Sequence, residues 1–182
     1  MQLIFRKVRK KSTWEFNVEA QRQGLSDGEP SVRALRDLAD DSPDQDGSGV
    51  YSDKISIFKI GEDRSDFNRV IAAIACSRKS LQEIDYLIIE EKVISTYSTP
   101  EECLGTTLDD HVNSLHLDCS LTSAVKLVEL AKHCMKKAER CPKIEVFRAI
   151  KKSINKGWIS DASLSTELRA SYDELNARNT PD

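Results

Sequence analysis

Apolar and polar positions follow two rhythms along the chain, a period of two and a spacing of three or four residues, and these predict its elements. Residues 2–9 read as a strand that ends in basic residues. Residues 13–19 alternate cleanly, with Trp14, Phe16 and Val18 on one side and Thr13, Glu15, Asn17 and Glu19 on the other. They predict a second strand, and Lys10-Lys11-Ser12 is short enough to join the two as a hairpin. Ser26-Asp27-Gly28-Glu29-Pro30 is a breaker, after which Val32, Leu35, Leu38 and Ala39 outline a short amphipathic helix. Ile55, Ile57, Phe58 and Ile60 predict a strand buried on both faces. Ser65 caps a helix over about 65–79, whose stripe is Phe67, Val70, Ile71, Ile74 and Ala75. Residues 84–94 carry the strongest strand pattern. Strand, helix and buried strand in succession predict a crossover unit with two parallel strands.

Beyond Thr96 the strand pattern fades. Thr99-Pro100-Glu101-Glu102 has the cap, proline and acid of a helix start, and Gly105 ends that segment. Residues 108–117 predict another short helix. Leu121 to Arg140 predicts a long one, with Leu121, Ala124, Val128, Ala131, Met135 and Ala138 inward. Pro142 restarts a helix through Asn155, with Ile144, Phe147, Ile150 and Ile154 inward and Gly157 at its end. Leu164, Leu168, Ser171 and Leu175 outline the last. The expected fold class is therefore α+β: a small mixed sheet of about four strands over residues 1–97 against a helical region over 98–182. No linker divides the two, so they share one core.

Composition sets the frame for these elements. A chain of 182 residues, 39% hydrophobic and 31% charged, is long enough to bury a core and is not a disordered composition. No apolar run approaches the roughly 18 residues a membrane span needs. Residues 40–49 are only Asp, Ser, Gly, Pro and Gln, an expected acidic surface loop, and Asn179 to Asp182 should fray. Five cysteines without regular spacing do not read as a disulfide framework. The apolar Met1 to Phe5 precede Arg6, Lys7, Arg9, Lys10 and Lys11, the reverse of a signal peptide. A cytoplasmic protein with reduced thiols is the expectation.

Charge is segregated. Residues 12–119 carry 10 cations and 22 anions, whereas residues 120–158 carry 10 cations and 3 anions. Lys126, Lys136, Lys137 and Arg140 share the polar face of one predicted helix, and Arg148, Lys151 and Lys152 extend it on the next. Such a face suits a partner protein steered by charge. It also suits phosphates, and the basic run at residues 6–11 could join it. No aromatic residue is interleaved for base stacking. Gly157-Trp158-Ile159-Ser160 and the segment after it resemble the turn and recognition helix of a helix-turn-helix. Glu167, Asp173 and Glu174 make that helix acidic, which suits a core-closing turn better.

Two further constellations bear on chemistry. Cys103, His111, His116 and Cys119 supply two thiols and two imidazoles, enough for a tetrahedral metal, but lack the paired spacing of a structural zinc site. Glu90 and Lys92, two apart on a predicted strand, match the Glu-x-Lys of a metal-dependent nuclease site. Asp53 or Asp63 would then supply the second acid. Glycine-rich phosphate loops, Gly-x-Ser-x-Gly and His-Glu-x-x-His are all missing. The sequence thus favours a non-catalytic interaction or accessory subunit that binds another protein and needs no cofactor or metal. Nucleic-acid binding and metal-dependent hydrolysis are the alternatives.

Overall fold

A six-stranded antiparallel sheet organises the computed structural model, which describes residues 2–16, 18–39, 54–121 and 123–178. The expected acidic loop at 40–49 and the tail at 179–182 lie outside the described residues. Strand β1 (Leu3–Val8) is central, with β2 (Lys54–Lys59) on one side and β3 (Ile84–Glu90) on the other. β4 (Ser98–Glu102) forms one edge and pairs with β5 (His116–Leu121), which pairs with β2. β6 (Ala138–Cys141) forms the other edge on β3.

Alternation along the strands feeds two cores. Phe5, Ile84 and Tyr86 face the first, together with α3 (Phe67–Cys76), Val112 of α5 (Asp110–Ser114), α7 (Lys143–Asn155) and α8 (Thr166–Arg178). Ile4, Val8, Ile57, Leu87 and Ile89 face the second. There they meet Trp14, α2 (Val32–Ala39), α4 (Glu91–Tyr97) and α6 (Ala124–Cys134). Val70 to Cys76 of α3 are all buried, and its small Ala72, Ala73 and Ala75 let α7 lie close alongside. The fold class is α+β, as the sequence predicts, with helices on both faces of one sheet.

The details differ in ways that have physical causes. Residues 13–19 form no strand: a 3-10 turn spans Lys11–Trp14 and α1 (Val18–Arg22) follows. β1 is already bonded on both sides by β2 and β3, so it offers no edge to a hairpin partner. β2 and β3 run parallel but are not neighbours, because β1 lies between them. The sheet has six strands, not about four, and is antiparallel, not mixed, because residues 98–141 contribute three more. Thr99 to Glu102 belong to edge strand β4, where Pro100 needs no ladder bond on its outer side. The long helix expected to Arg140 stops at Cys134; Lys136 takes a φ of 63°, and Arg140 sits on β6. Asp66, not Ser65, precedes α3.

Arg6 is buried on β1 toward the second core. Its Nη1 donates to the Ser56 carbonyl at 2.8 Å, and its Nη2 to the carbonyls of Asp37 and Leu38 at 3.1 and 3.2 Å. It therefore ties β1 to β2 and to the C-terminal end of α2, where backbone carbonyls favour a cation. No helix among the described residues is long and apolar enough to cross a membrane.

Candidate functional site

The seven basic residues that the sequence places on one face do not share one. Lys126 belongs to α6, and Lys136 and Lys137 to the turn after it; Arg148, Lys151 and Lys152 belong to α7. α6 covers the second core and α7 the first, so the sheet stands between the two groups. Several are engaged within the chain. Lys136 Nζ lies 2.6 Å from Asp27 Oδ2, Lys137 Nζ 2.8 Å from His133 Nε2, and Arg148 Nη1 2.5 Å from Glu145 Oε1. Lys151, half-buried, donates to Asn176 Oδ1 of α8 at 2.8 Å.

Arg140 belongs to a different and more concentrated feature. On β6 it faces Asp85 of β3 in register. Its Nε and Nη2 donate to Asp85 Oδ1 and Oδ2 at 2.7 and 2.9 Å, a two-pronged pair. Asp85 also accepts from the Lys11 backbone N–H at 2.6 Å. Burial pushes the Asp85 carboxyl up, but these bonds and the charges of Arg140 and Lys11 outweigh it and hold the group below its usual range. Around this pair an open cleft of about 500 Å³ is lined by Lys7, Arg9, Lys10, Arg78 and Arg140, with Glu83 and Asp85 as its carboxylates. Lys7 and Arg9 come from the end of β1, and Arg78 follows α3. Sequence reasoning anticipates the basic run at 6–11 only as an addition to the helical face, and it includes Arg6, which is buried. It misses Arg78, whose place beside β1 depends on the fold.

The nuclease constellation does not assemble. β3 ends at Glu90 and Lys92 lies in the first turn of α4, so the two do not share a strand face. They form an ion pair at 2.7 Å. The Lys92 hydrogen bond holds the Glu90 carboxyl below its usual value, and the charges of Lys92, His133 and Lys137 add to the effect. Asp63 is exposed in the turn before α3, where it accepts from the Ser65 N–H at 3.0 Å. Asp53 lies outside the described residues.

The expected metal set splits as well. His111 Nε2 lies 2.9 Å from Asp66 Oδ1, away from the others. Cys119 is buried toward the second core. Cys103 and His116 do meet, with Sγ 2.7 Å from Nδ1. Register explains the meeting, because Cys103 follows edge strand β4 and its N–H approaches the His116 carbonyl of β5. The other ring nitrogen, Nε2, hydrogen-bonds Ser56 Oγ and lies 3.8 Å from Asp118 Oδ1. Cys103, His116 and Asp118 thus bring donor atoms within 4.8 Å of one another. In this arrangement Nδ1 of His116 faces the sulfur, and Nε2 faces Ser56 and Asp118. Ser56 and Asp118 are absent from the sequence-derived set because β5 is not recognisable as a strand.

The Gly157-Trp158-Ile159 turn closes the first core. Ile159 is buried, and the Arg69 guanidinium sits over the Trp158 ring at 4.4 Å from its centroid. Arg69 also grips Asp109 with two bonds of 2.6 and 2.9 Å.

Compared with known proteins, the chain matches no family model, no curated protein and no solved structure.

Proposed function

We propose that the chain is a non-catalytic cytoplasmic accessory subunit that docks an acidic segment of another protein in the cleft at the end of β1, β3 and β6. The observation that carries this reading is the convergence of five cationic side chains on one open cleft holding two carboxylates. Three of the cations come from or just after β1, one follows α3 and one stands on β6, so the fold holds them in place. Guanidinium groups at Arg9 and Arg78 suit the carboxylates of Asp and Glu side chains, while Arg140 is held by Asp85. Charge on this scale mainly raises association rate and selects among partners. A protein partner is favoured over nucleic acid on two counts. Lys126, Lys136 and Lys137 belong to the layer on one side of the sheet and Arg148, Lys151 and Lys152 to the layer on the other, so these six form no continuous track for a phosphate backbone. No aromatic side chain lines the cleft.

The test is co-elution of the chain with its partner on size exclusion, for wild type and for Lys7→Glu/Arg9→Glu/Lys10→Glu. An equimolar protein complex lost in the triple variant, with an unchanged melting temperature, is the expected result. A complex that survives the triple variant contradicts the reading. Submicromolar binding of nucleic acid at physiological salt, abolished by the same variant, replaces the protein partner with nucleic acid.

A further inference from the structure

We propose that Cys103 is a histidine-activated thiol, and that the cluster of Cys103, His116, Ser56 and Asp118 is a site where a small hydroperoxide oxidises the sulfur to a sulfenic acid. Cys103 and His116 stand in the relation of nucleophile and base, 2.7 Å apart. The base is held in turn by a third group: Nε2 bonds Ser56 Oγ, with the Asp118 carboxylate at 3.8 Å. Phe58 packs on the imidazole, 5.0 Å between centroids. The ring is therefore fixed, with Nδ1 toward the sulfur and Nε2 toward Ser56 and Asp118.

The site is selective within the chain. No disulfide joins the five cysteines, and Cys103 alone is half-buried; the other four are buried. Burial pushes the thiols of Cys76 and Cys134 up to about 12 and those of Cys119 and Cys141 up to about 11. Those four are unreactive at neutral pH, since the thiolate is the nucleophile. Charged groups near Cys103 include His116 and Asp118 of β5 and, just before it on β4, Glu101 and Glu102. Glu101 and Glu102 are exposed and oppose the thiolate from high dielectric, whereas the imidazole is in direct contact.

The reaction balances without a cofactor. The Cys103 proton passes to His116 Nδ1. The thiolate then attacks the outer oxygen of the hydroperoxide, so that an S–O bond forms as the O–O bond breaks. The departing alkoxide or hydroxide takes the proton from the imidazolium. Sulfur is oxidised by two electrons and the peroxide is reduced to an alcohol or water. Cys119 faces the opposite core, so no second thiol of the chain waits to close a disulfide. The sulfenic acid should persist until an external thiol reduces it.

The test reads the rate of iodoacetamide alkylation at Cys103 against pH by peptide mass spectrometry. Labelling with a sulfenic-specific reagent after hydrogen peroxide is read in parallel. Wild type should alkylate with an apparent pKa clearly below the roughly 8.5 of a free thiol, and peroxide should label Cys103 alone. His116→Gln should raise that pKa and slow both reactions at pH 7 roughly threefold or more. Should His116→Gln fail to fold, Asp118→Asn and Ser56→Ala keep the imidazole and should shift the profile in the same direction by less. A wild-type profile at or above that of a free thiol overturns the proposal, as does equal peroxide labelling of the buried cysteines. Stoichiometric zinc, lost in Cys103→Ser, would overturn it in favour of a metal site.

Discussion

Trp14 Nε1 donates a 2.9 Å hydrogen bond to Asp37 Oδ2, and both side chains are buried. The contact joins the 3-10 turn after β1 to helix α2, and the Arg9 backbone N–H gives the same carboxylate a second bond at 2.8 Å. Burial pushes the Asp37 carboxyl up, against the pull of these two bonds and of Arg6 and Arg9. Trp14→Phe keeps most of the bulk but removes the donor, and it should destabilise by about 1–3 kcal/mol. Trp14→Ala adds a cavity and should cost about 3–5 kcal/mol. Urea unfolding measures both; a Phe variant as stable as wild type would show that the hydrogen bond contributes nothing.

Trp14 also shows what the sequence reveals. Its burial is legible from the apolar pattern; its conformation is not. Trp14, Phe16 and Val18 alternate like a strand, yet the sides of β1 are taken by β2 and β3, whose paired residues lie 53 to 87 positions further along the chain. Strands β1, β2 and β3 are dense in Ile, Leu and Phe and stand out, as do α2, α3, α7 and α8. β4, β5 and β6 read Ser-Thr-Pro-Glu-Glu, His-Leu-Asp-Cys-Ser-Leu and Ala-Glu-Arg-Cys, polar segments that become strands only because a neighbour supplies the ladder. The missed strands explain the missed sites. His116 and Asp118 share a face only on a strand, and Arg140 meets Asp85 only if residue 140 is on β6.

The Arg140–Asp85 pair should make stability fall in acid. Because the folded-state value of Asp85 is depressed, its contribution is present above the unfolded value of about 3.9 and is lost as pH falls through the folded value. Asp85→Asn should melt lower than wild type at pH 7, and the gap should shrink by pH 3. Asp37, whose carboxyl is raised, acts in the opposite sense and above the unfolded value instead of below it, so the comparison is wild type against Asp85→Asn at each pH. A gap that stays constant with pH would contradict the assignment.

Asp109 fastens two helices, α3 and α5. It takes both bonds of Arg69 from α3, and its carboxylate accepts the N–H groups of His111 and Val112, at 3.0 and 3.2 Å, to cap α5. Asp109→Ala leaves Arg69 without its partner and the cap open, and should cost about 3–5 kcal/mol. Asp109→Asn still accepts hydrogen bonds and should cost clearly less. Equal losses in thermal or urea unfolding would mean that side-chain volume matters there, not its oxygens.

Gly61 takes a φ of +78°, and a Cβ there would sit 2.6 Å from Ser65 Oγ in the turn between β2 and α3. Gly61→Ala should lower the melting temperature, and Ser65→Ala should recover only the steric part because the backbone strain remains. Full recovery in the double variant would show that the clash alone matters.

The docking cleft is tested most directly by photo-crosslinking. A photoreactive amino acid replaces Gln82, an exposed residue that lines the cleft, or Lys152 on the outer face of α7. Irradiation in the native host, followed by mass spectrometry of the adducts, reads what each position touches. The account predicts a protein adduct from position 82, mapped to an Asp- or Glu-rich segment, and none from position 152. An adduct from position 152 alone, or nucleic acid joined to position 82, would contradict it.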